Sequence, residues 1–345
     1  MKDLSVLVVA PFDDAHHAHA AQRCRALERL GCRVDAFDLN KRPGLLGRLG
    51  RRDLWSRLRK AIDTARAELV LVIGGHELEP ELVGRLRQAT GIRWINWFPD
   101  DLRTIDEVIS HASAYDRVFV AGSDVAGRLR TALGHGVDVV PLAADPSVYR
   151  PLRSKDQYRA NVVFAGTATA RRETLLTGLV EFGLALWGPG WRRTSLRDYC
   201  RGEVPSTEDY VRAYGGASVA VNIHHMADGN GGAEAFVNQR VFEVAAIGVP
   251  QVVDDRGDLA RHYTPGRDLL VFHDTDELRN IVKTSLQDLP SVEQLGVSAR
   301  KETLARHTYM HRLKTILDSV TRSATHPSPS PVDTASSTLP PSSDG

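Results

Sequence analysis

The chain has 345 residues, 42% of them hydrophobic and 25% charged, with a formal net charge of +1. That length suggests two domains with a core each. So balanced a charge excludes a large phosphate-neutralising surface, and with it nucleic acid as the main partner. The three cysteines, Cys24, Cys32 and Cys200, show no paired metal-ligand spacing and read as reduced thiols of a cytoplasmic protein. No apolar run approaches the ~20 residues of a membrane span, and the N-terminus has no signal-peptide core.

In chain order, Ser5–Ala10 is an apolar run ended by Pro11, which predicts a buried strand. A helix follows over His17–Leu30, then a strand over Arg33–Leu39 and an amphipathic helix marked by Leu54, Leu58, Ile62 and Ala65. Leu69–Ile73 predicts a strand running into Gly74-Gly75-His76, and Glu81–Ala89 a short helix. Ile92–Asn96 predicts a strand that ends before Trp97-Phe98-Pro99-Asp100-Asp101. Strands at Arg117–Val120 and Val137–Val140 flank a helix at Ser123–Leu133. This alternation is the signature of a parallel sheet covered on both faces. Neither a Gly-x-Gly-x-x-Gly after the first strand nor a P-loop is present.

Three features here follow strands and so share one sheet edge. They are His16, His17 and His19 with Asp13 and Asp14; His76 with Glu77; and Asp100 with Asp101. The histidine spacing fits no metal-binding pattern, and solvated side chains are the plainer reading. Asp101 or Thr104 can equally serve as the cap of the next helix.

Pro141–Leu152 is proline-rich and joins two αβ patterns, so the domain boundary falls there. Beyond it, a strand at Asn161–Ala165 enters Gly166-Thr167, and Arg171-Arg172-Glu173 opens a helix. Leu184–Trp187 and Gly188-Pro189-Gly190-Trp191 read as a strand and tight turn, with Trp191 either structural or part of a site. A helix at Ser206–Tyr214 precedes a strand at Val219–Ile223, which leads through His224-His225 to a glycine-rich loop, Gly229–Gly232. Asn238 caps a helix bearing Val241, Phe242, Ala245 and Ala246; Gly248 and Pro250 end it, and Val249–Val253 is the next strand. Arg240 and Glu243 share one face of that helix, where an ion pair is the bland alternative to a site. Asp274-x-x-Glu277 opens one more helix, and Thr308 caps a last one with Tyr309, Leu313, Ile316, Leu317 and Val320 on one side. From Ser323 the Ser/Pro/Thr-rich tail carries too little apolar matter to fold.

The run Phe236–Asp255, with Asn238-x-Arg240-x-Phe242-Glu243 and Gly248 and Pro250 behind it, resembles the nucleotide-sugar-binding segment of the glycosyltransferase group 1 superfamily, in its CgeB-like (spore-maturation-type) variant. The likeness spans about Ala160–Leu317 and, less closely, Trp94–Pro151. It implies a GT-B fold of two Rossmann-like domains facing each other across a cleft. Residues 1–150 would be the acceptor domain, 151–307 the donor domain, 308–322 a helix crossing back to the first domain, and 323–345 a disordered tail. It also implies transfer of a sugar from a nucleotide-diphosphate sugar to a small-molecule, glycan or protein acceptor. No cofactor or metal is implied, and the anomeric configuration would be retained.

Carried over by position, Glu243 would accept from the ribose hydroxyls, a task that suits a carboxylate. Arg172 would offset the diphosphate charge as a catalytic group, with Gly166 and Thr167 letting the backbone approach the phosphates. Trp191, His224, Asn238 and Arg240 would line the donor site. Asp100, Asp101 or His76 would be the base if the enzyme inverted instead. A second family Glu, eight positions before the first, is here Ala235, with Glu234 beside it. Two other readings accompany this one: a nucleotide-sugar epimerase of the same fold, and a non-catalytic spore or envelope protein that binds nucleotide sugar.

Overall fold

Strands covered on both faces need apolar side chains at every position, and the centres of both sheets are built that way. The computed structural model describes residues 3–12, 19–41, 50–99, 105–134, 136–203, 206–225 and 235–324. In it Ser5–Ala10 (β1) is buried along its whole length. β1 pairs in parallel with Arg33–Asp38 (β2) and with Leu69–Ile73 (β3). Arg93–Phe98 (β4), Arg117–Val120 (β5) and Val137–Val139 (β6) complete a sheet of order β2-β1-β3-β4-β5-β6. Helices His19–Arg29 (α1), Gly50–Ala65 (α2), Pro80–Thr90 (α3), Ile105–Ala112 (α4) and Ser123–Leu133 (α5) connect these strands. The chain reverses direction between β1 and β3, which puts a switch point between their carboxyl ends.

The second sheet contains Ala160–Ala165 (β7), Leu184–Trp187 (β8), Cys200–Gly202 (β9), Ala217–Asn222 (β10), Gln251–Asp254 (β11) and Leu270–Phe272 (β12). Its order is β12-β11-β10-β7-β8-β9, all parallel, so the switch point falls between β7 and β10. The helices are Ala170–Thr177 (α6), Thr207–Gly215 (α7), Gln239–Ile247 (α8), Leu259–His262 (α9), Thr275–Gln287 (α10) and Leu289–Arg306 (α11). Side-chain oxygens of Thr169, Ser206, Asn238 and Asp274 cap α6, α7, α8 and α10. Gly248 ends α8 in the left-handed conformation, at φ +87°.

Tyr309–Ala324 (α12) crosses back to the first domain and packs against α1. Tyr309, Leu313, Ile316, Leu317 and Val320 join a buried cluster with Val6, Val8, Ile95 and Trp97. Each such side chain contributes roughly 1.5–3 kcal/mol of burial. Where the chain passes between domains, Ala144 and Thr308 form a parallel bridge. The Ala144 N–H donates to the His307 carbonyl (3.1 Å) and the Tyr309 N–H to the Ala144 carbonyl (3.2 Å). Arg312 adds bonds from Nε to the Pro141 and Leu142 carbonyls at 3.0 and 3.1 Å.

Several elements differ from the sequence expectation: β9, α9 and β12 have no counterpart in it, and two more differences have a clear physical reason. β4 continues through Trp97 and Phe98, because the two rings bury on opposite faces: Trp97 lies toward α1 and α12, and Phe98 joins the cluster of α3 and α4. α11 has no counterpart in the apolar pattern. Its buried residues are Val292, Gly296, Ala299 and Thr303, a narrow small-residue stripe that lets the helix approach α8. A Cβ at Gly296 would lie 2.3 Å from the Gly248 carbonyl oxygen. Asp13, Asp14, His16, His17, Asp100, Asp101, Thr104, the Gly229–Gly232 loop, Glu234 and the tail from 325 onward lie outside the described residues.

Candidate functional site

The carboxyl ends of β7, β10 and β11 meet the N-termini of α6 and α8 at the switch point of the second sheet. Gly166 ends β7 in a loop with no room for a side chain. A Cβ there would lie 2.9 Å from Arg240 Nη2 and 3.3 Å from the Phe164 ring. Across the loop, a Cβ at Gly188 would come within 2.5 Å of the Gly166 carbonyl oxygen, which instead accepts from Trp191 Nε1 at 2.8 Å. Trp191 is fully buried against the edge of Phe164, so it shapes the Gly166 loop from beneath. Thr167 is exposed at the loop's crest.

Three arginines surround this loop, each held differently. Arg172 is buried, and its two terminal nitrogens donate to the Thr167 and Ile223 carbonyls at 2.8 Å each, fastening the end of β7 to that of β10. Burial, then the neighbouring Arg240, lowers its pKa to about 10. Arg240 and Arg172 lie over the Phe164 ring, 5.4 and 5.3 Å from its centroid. Burial works against the Arg240 charge, but Tyr214, Tyr210 and Glu243 outweigh it and raise the pKa. Arg171 is the exposed member of the set; it reaches Asp254 at 3.0 Å.

Asn238 and Asn222 exchange side-chain amide bonds at 3.0 and 3.3 Å, and Asn222 also accepts from Arg240 Nη1 at 3.2 Å. His224 is buried, its Nδ1 2.6 Å from Asp254 Oδ1 and its Nε2 3.0 Å from the Asn238 backbone nitrogen. Burial and Asp254 pull on His224 in opposite directions, burial prevails, and the pKa falls below the usual histidine value. Burial also opposes the Asp254 charge, yet the bonds from His224 hold that pKa down to about 2.

One turn along α8, Glu243 is buried where the two domains meet. Its Oε2 accepts from Tyr210 Oη at 2.8 Å, and its Oε1 lies 3.7 Å from Nε2 of His19, the first residue of α1. Arg240 bonds Asn222, and Glu243 engages Tyr210 and His19, rather than forming the surface ion pair that their spacing allowed as the bland alternative. Further contacts span the cleft. Ser123 donates its N–H and hydroxyl to Asp258, the Ala235 N–H donates to Asp124 Oδ2 at 3.2 Å, and Gln239 donates to the Ala143 carbonyl. Ala235 therefore has its backbone in the domain contact.

Residues 171–318 match the family model described as "Glycosyl transferase-like". Among solved structures, sucrose-phosphate synthase from Thermosynechococcus elongatus is similar at 16% identity over 94% of this chain and 100% of that one, with a TM-score of 0.67. HepE from Anabaena, in complex with UDP-glucose, is similar at 11% identity over 92% of this chain and 99% of that one, with a TM-score of 0.67. A glycosyltransferase from Rickettsia africae is similar at 9% identity over 93% and 99%, with a TM-score of 0.66. The chain has the GT-B fold. No curated protein matches it in sequence.

In the first GT-B domain, His76 is exposed, with its ring 5.7 Å from Phe98 and 6.1 Å from His111. That places it toward α4, whereas His19 is the first-domain histidine that reaches Glu243. Tyr210, Asp254 and Asn222 are buried partners of these side chains that the sequence reading did not single out. For Asp254, the acid ending the strand after α8 was the available signal; a mid-helix Tyr210 gave none. Among the described residues, no group of three or more His, Cys, Asp or Glu side chains is placed to hold a metal ion, and no helix is long and apolar enough to cross a membrane.

Proposed function

We propose that this chain is a CgeB-like glycosyltransferase that moves a sugar from a nucleotide-diphosphate donor to an acceptor held on the first domain. The observation that carries the reading is the grouping of Glu243, Arg240, Arg171 and the Gly166 loop at one sheet switch point, facing the other domain. Glu243 accepts from the ribose hydroxyls in place of His19, while Tyr210 keeps its carboxylate oriented. The backbone at Gly166 and Thr167, at the N-terminus of α6, receives the diphosphate. Arg171 and Arg240 offset the charge, and Arg172 holds the loop through its two carbonyl bonds. HepE, with the same architecture, is recorded with UDP-glucose, which supports a donor of this class. The free thiols of Cys24, Cys32 and Cys200 fit a cytoplasmic setting.

The chemistry we favour is metal-independent and retaining. The bond from the anomeric carbon to the leaving phosphate oxygen breaks, and the acceptor oxygen bonds on the same face. Its proton passes to the departing phosphate, whose growing charge the arginines stabilise. The test is thermal melting of the purified protein against UDP, GDP, ADP, CMP and dTDP compounds, for wild type and Glu243→Ala. Ligands that bind only the folded state raise the midpoint. A shift with one nucleoside diphosphate, abolished in the variant, is expected. No shift with any of them would overturn the donor assignment, and conversion of a nucleotide sugar without acceptor would mark an epimerase.

A further inference from the structure

The reading of α8 as a donor-binding helix leaves one buried pair without a task. His224 and Asp254 lie behind the helix, and their geometry permits a single arrangement of protons. A backbone N–H can only donate, so the bond from Asn238 N at 3.0 Å requires a lone pair on His224 Nε2. A carboxylate can only accept, so the 2.6 Å contact to Asp254 Oδ1 requires the proton on Nδ1. His224 is therefore neutral, in its Nδ1–H form. Asp254 is fixed in turn by the His224 backbone N–H at 2.9 Å, by Arg171 of α6 at 3.0 Å and by Arg256 at 3.5 Å.

The bond to Asn238 replaces something missing from the sequence. The backbone N–H of an N-cap residue is commonly satisfied by a Glu or Gln three positions on, completing a capping box. In α8 that position is Val241, which has no acceptor. His224 supplies one from the end of β10, so the helix start is tied to the sheet rather than to itself. Arg240 lies two residues beyond Asn238, and Glu243 five.

Resting on the donor reading of α8, we propose that Asp254 and His224 are a positioning pair that sets the α8 N-terminus, and through it Arg240 and Glu243, against the Gly166 loop. Both side chains are buried, so His224, expected to line the donor site, acts in this proposal from behind the helix instead. The three-way attachment of Asp254 to α6, β10 and the segment after β11 makes the two phosphate-facing helix ends move as one unit. Side chains that orient ligating groups in this way typically govern affinity by about 10–100-fold.

The experiment uses the full chain, labelled with 15N. Long-range 1H–15N correlation of the His224 ring should show the neutral Nδ1–H tautomer at pH 7. Asp254→Ala removes the acceptor of the Nδ1–H proton and should shift the ring toward Nε2–H, which opposes the Asn238 N–H. Exchange of the Asn238 amide should then speed up by about tenfold or more, and the nucleoside diphosphate giving the largest wild-type melting shift should bind about 10–100-fold more weakly. A second pair of variants guards against misfolding: His224→Gln keeps an acceptor for Asn238, and His224→Phe does not. Gln retaining protection and affinity that Phe loses supports the pair. A wild-type Nε2–H tautomer, or equal exchange and affinity in Gln and Phe, overturns it. Should wild type bind no nucleoside diphosphate, the donor reading fails, and Asn238 exchange alone decides the positioning role.

Discussion

Ser123 of the first domain donates both its backbone N–H and its hydroxyl to the Asp258 carboxylate of the second, at 2.7 Å each. The N-cap residue of α5 is Gly122, which has no side chain to offer, so Asp258 caps this helix from the other side of the cleft. Asp258→Ala should lower stability by about 1–3 kcal/mol, the usual cost of losing hydrogen bonds to a buried charge. It should also enlarge the radius of gyration measured by small-angle scattering without nucleotide. An unchanged radius and melting midpoint would show that the contact does not hold the domains together.

Acid should destabilise the packing beneath α8. His262 and His307 are buried beneath α8, with rings 5.5 Å apart. Burial, then the nearby Arg312, lowers their pKa values to about 4 and about 3. Both lie below the unfolded value of about 6.5, so the unfolded chain binds protons that the folded chain refuses. Stability from this source is complete above about pH 6.5 and is lost as pH falls toward 4, at up to ~1.4 kcal/mol per pH unit for each group. His224, lowered by burial as well, adds to the same loss, and Asp254, held down to about 2, adds to it only below about pH 4. Melting midpoints measured from pH 7.5 to 4.5 should show the slope, and His307→Gln should reduce it. A flat profile would contradict the neutral, buried state of these rings.

Gly188→Ala and Gly202→Ala separate backbone strain from collision. Both glycines have left-handed φ values, +119° and +123°. A Cβ at Gly202 meets nothing within 4 Å, whereas one at Gly188 lies 2.5 Å from the Gly166 carbonyl oxygen. Gly202→Ala should cost about 1–2 kcal/mol as strain alone. Gly188→Ala should cost more and also weaken nucleoside diphosphate binding, because the Gly166 loop must move. Calorimetric titration of both variants would check this, and equal binding would argue against a donor-contacting loop.

Tyr210→Phe removes the hydroxyl that donates to Glu243 and leaves the ring in place against Tyr149 and Tyr214. Stability should fall by about 1–3 kcal/mol. Nucleoside diphosphate affinity should fall too, since the Glu243 carboxylate loses the bond that orients it. Binding equal to wild type would mean that Tyr210 only fills space.

Much of this architecture is written locally. Asn238, Gly248 and Pro250 delimit α8 in sequence as they do in space, and the unbroken apolar runs of β1 and β3 announce strands covered on both sides. Glu243 stands out through its motif, since a Glu three residues after an Arg looks like any surface pair until the fold buries it. What could not be read depends on meetings between distant segments. Trp191 and Arg172 sit beside a glycine loop in sequence, but only the fold shows that Gly166, Thr167 and Ile223 carbonyls engage their nitrogens. α11 escaped notice because it packs through glycine and alanine, which leave no apolar stripe.

The paired strands at the domain boundary have a mechanical consequence. Two crossings separated by most of the second domain's sequence are joined at Ala144 and Thr308, and Arg312 grips the carbonyls of the first from the start of α12. Two independent tethers would let the halves slide past each other; two that are hydrogen-bonded side by side leave one easy motion, rotation about a shared pin. His19 lies beside Tyr309, at 3.3 Å, while its other ring nitrogen faces Glu243. A small turn of the pin would therefore swing the carboxylate into or out of reach of the opposite domain, so the energy of opening and the proposed ribose contact of Glu243 become a single equilibrium.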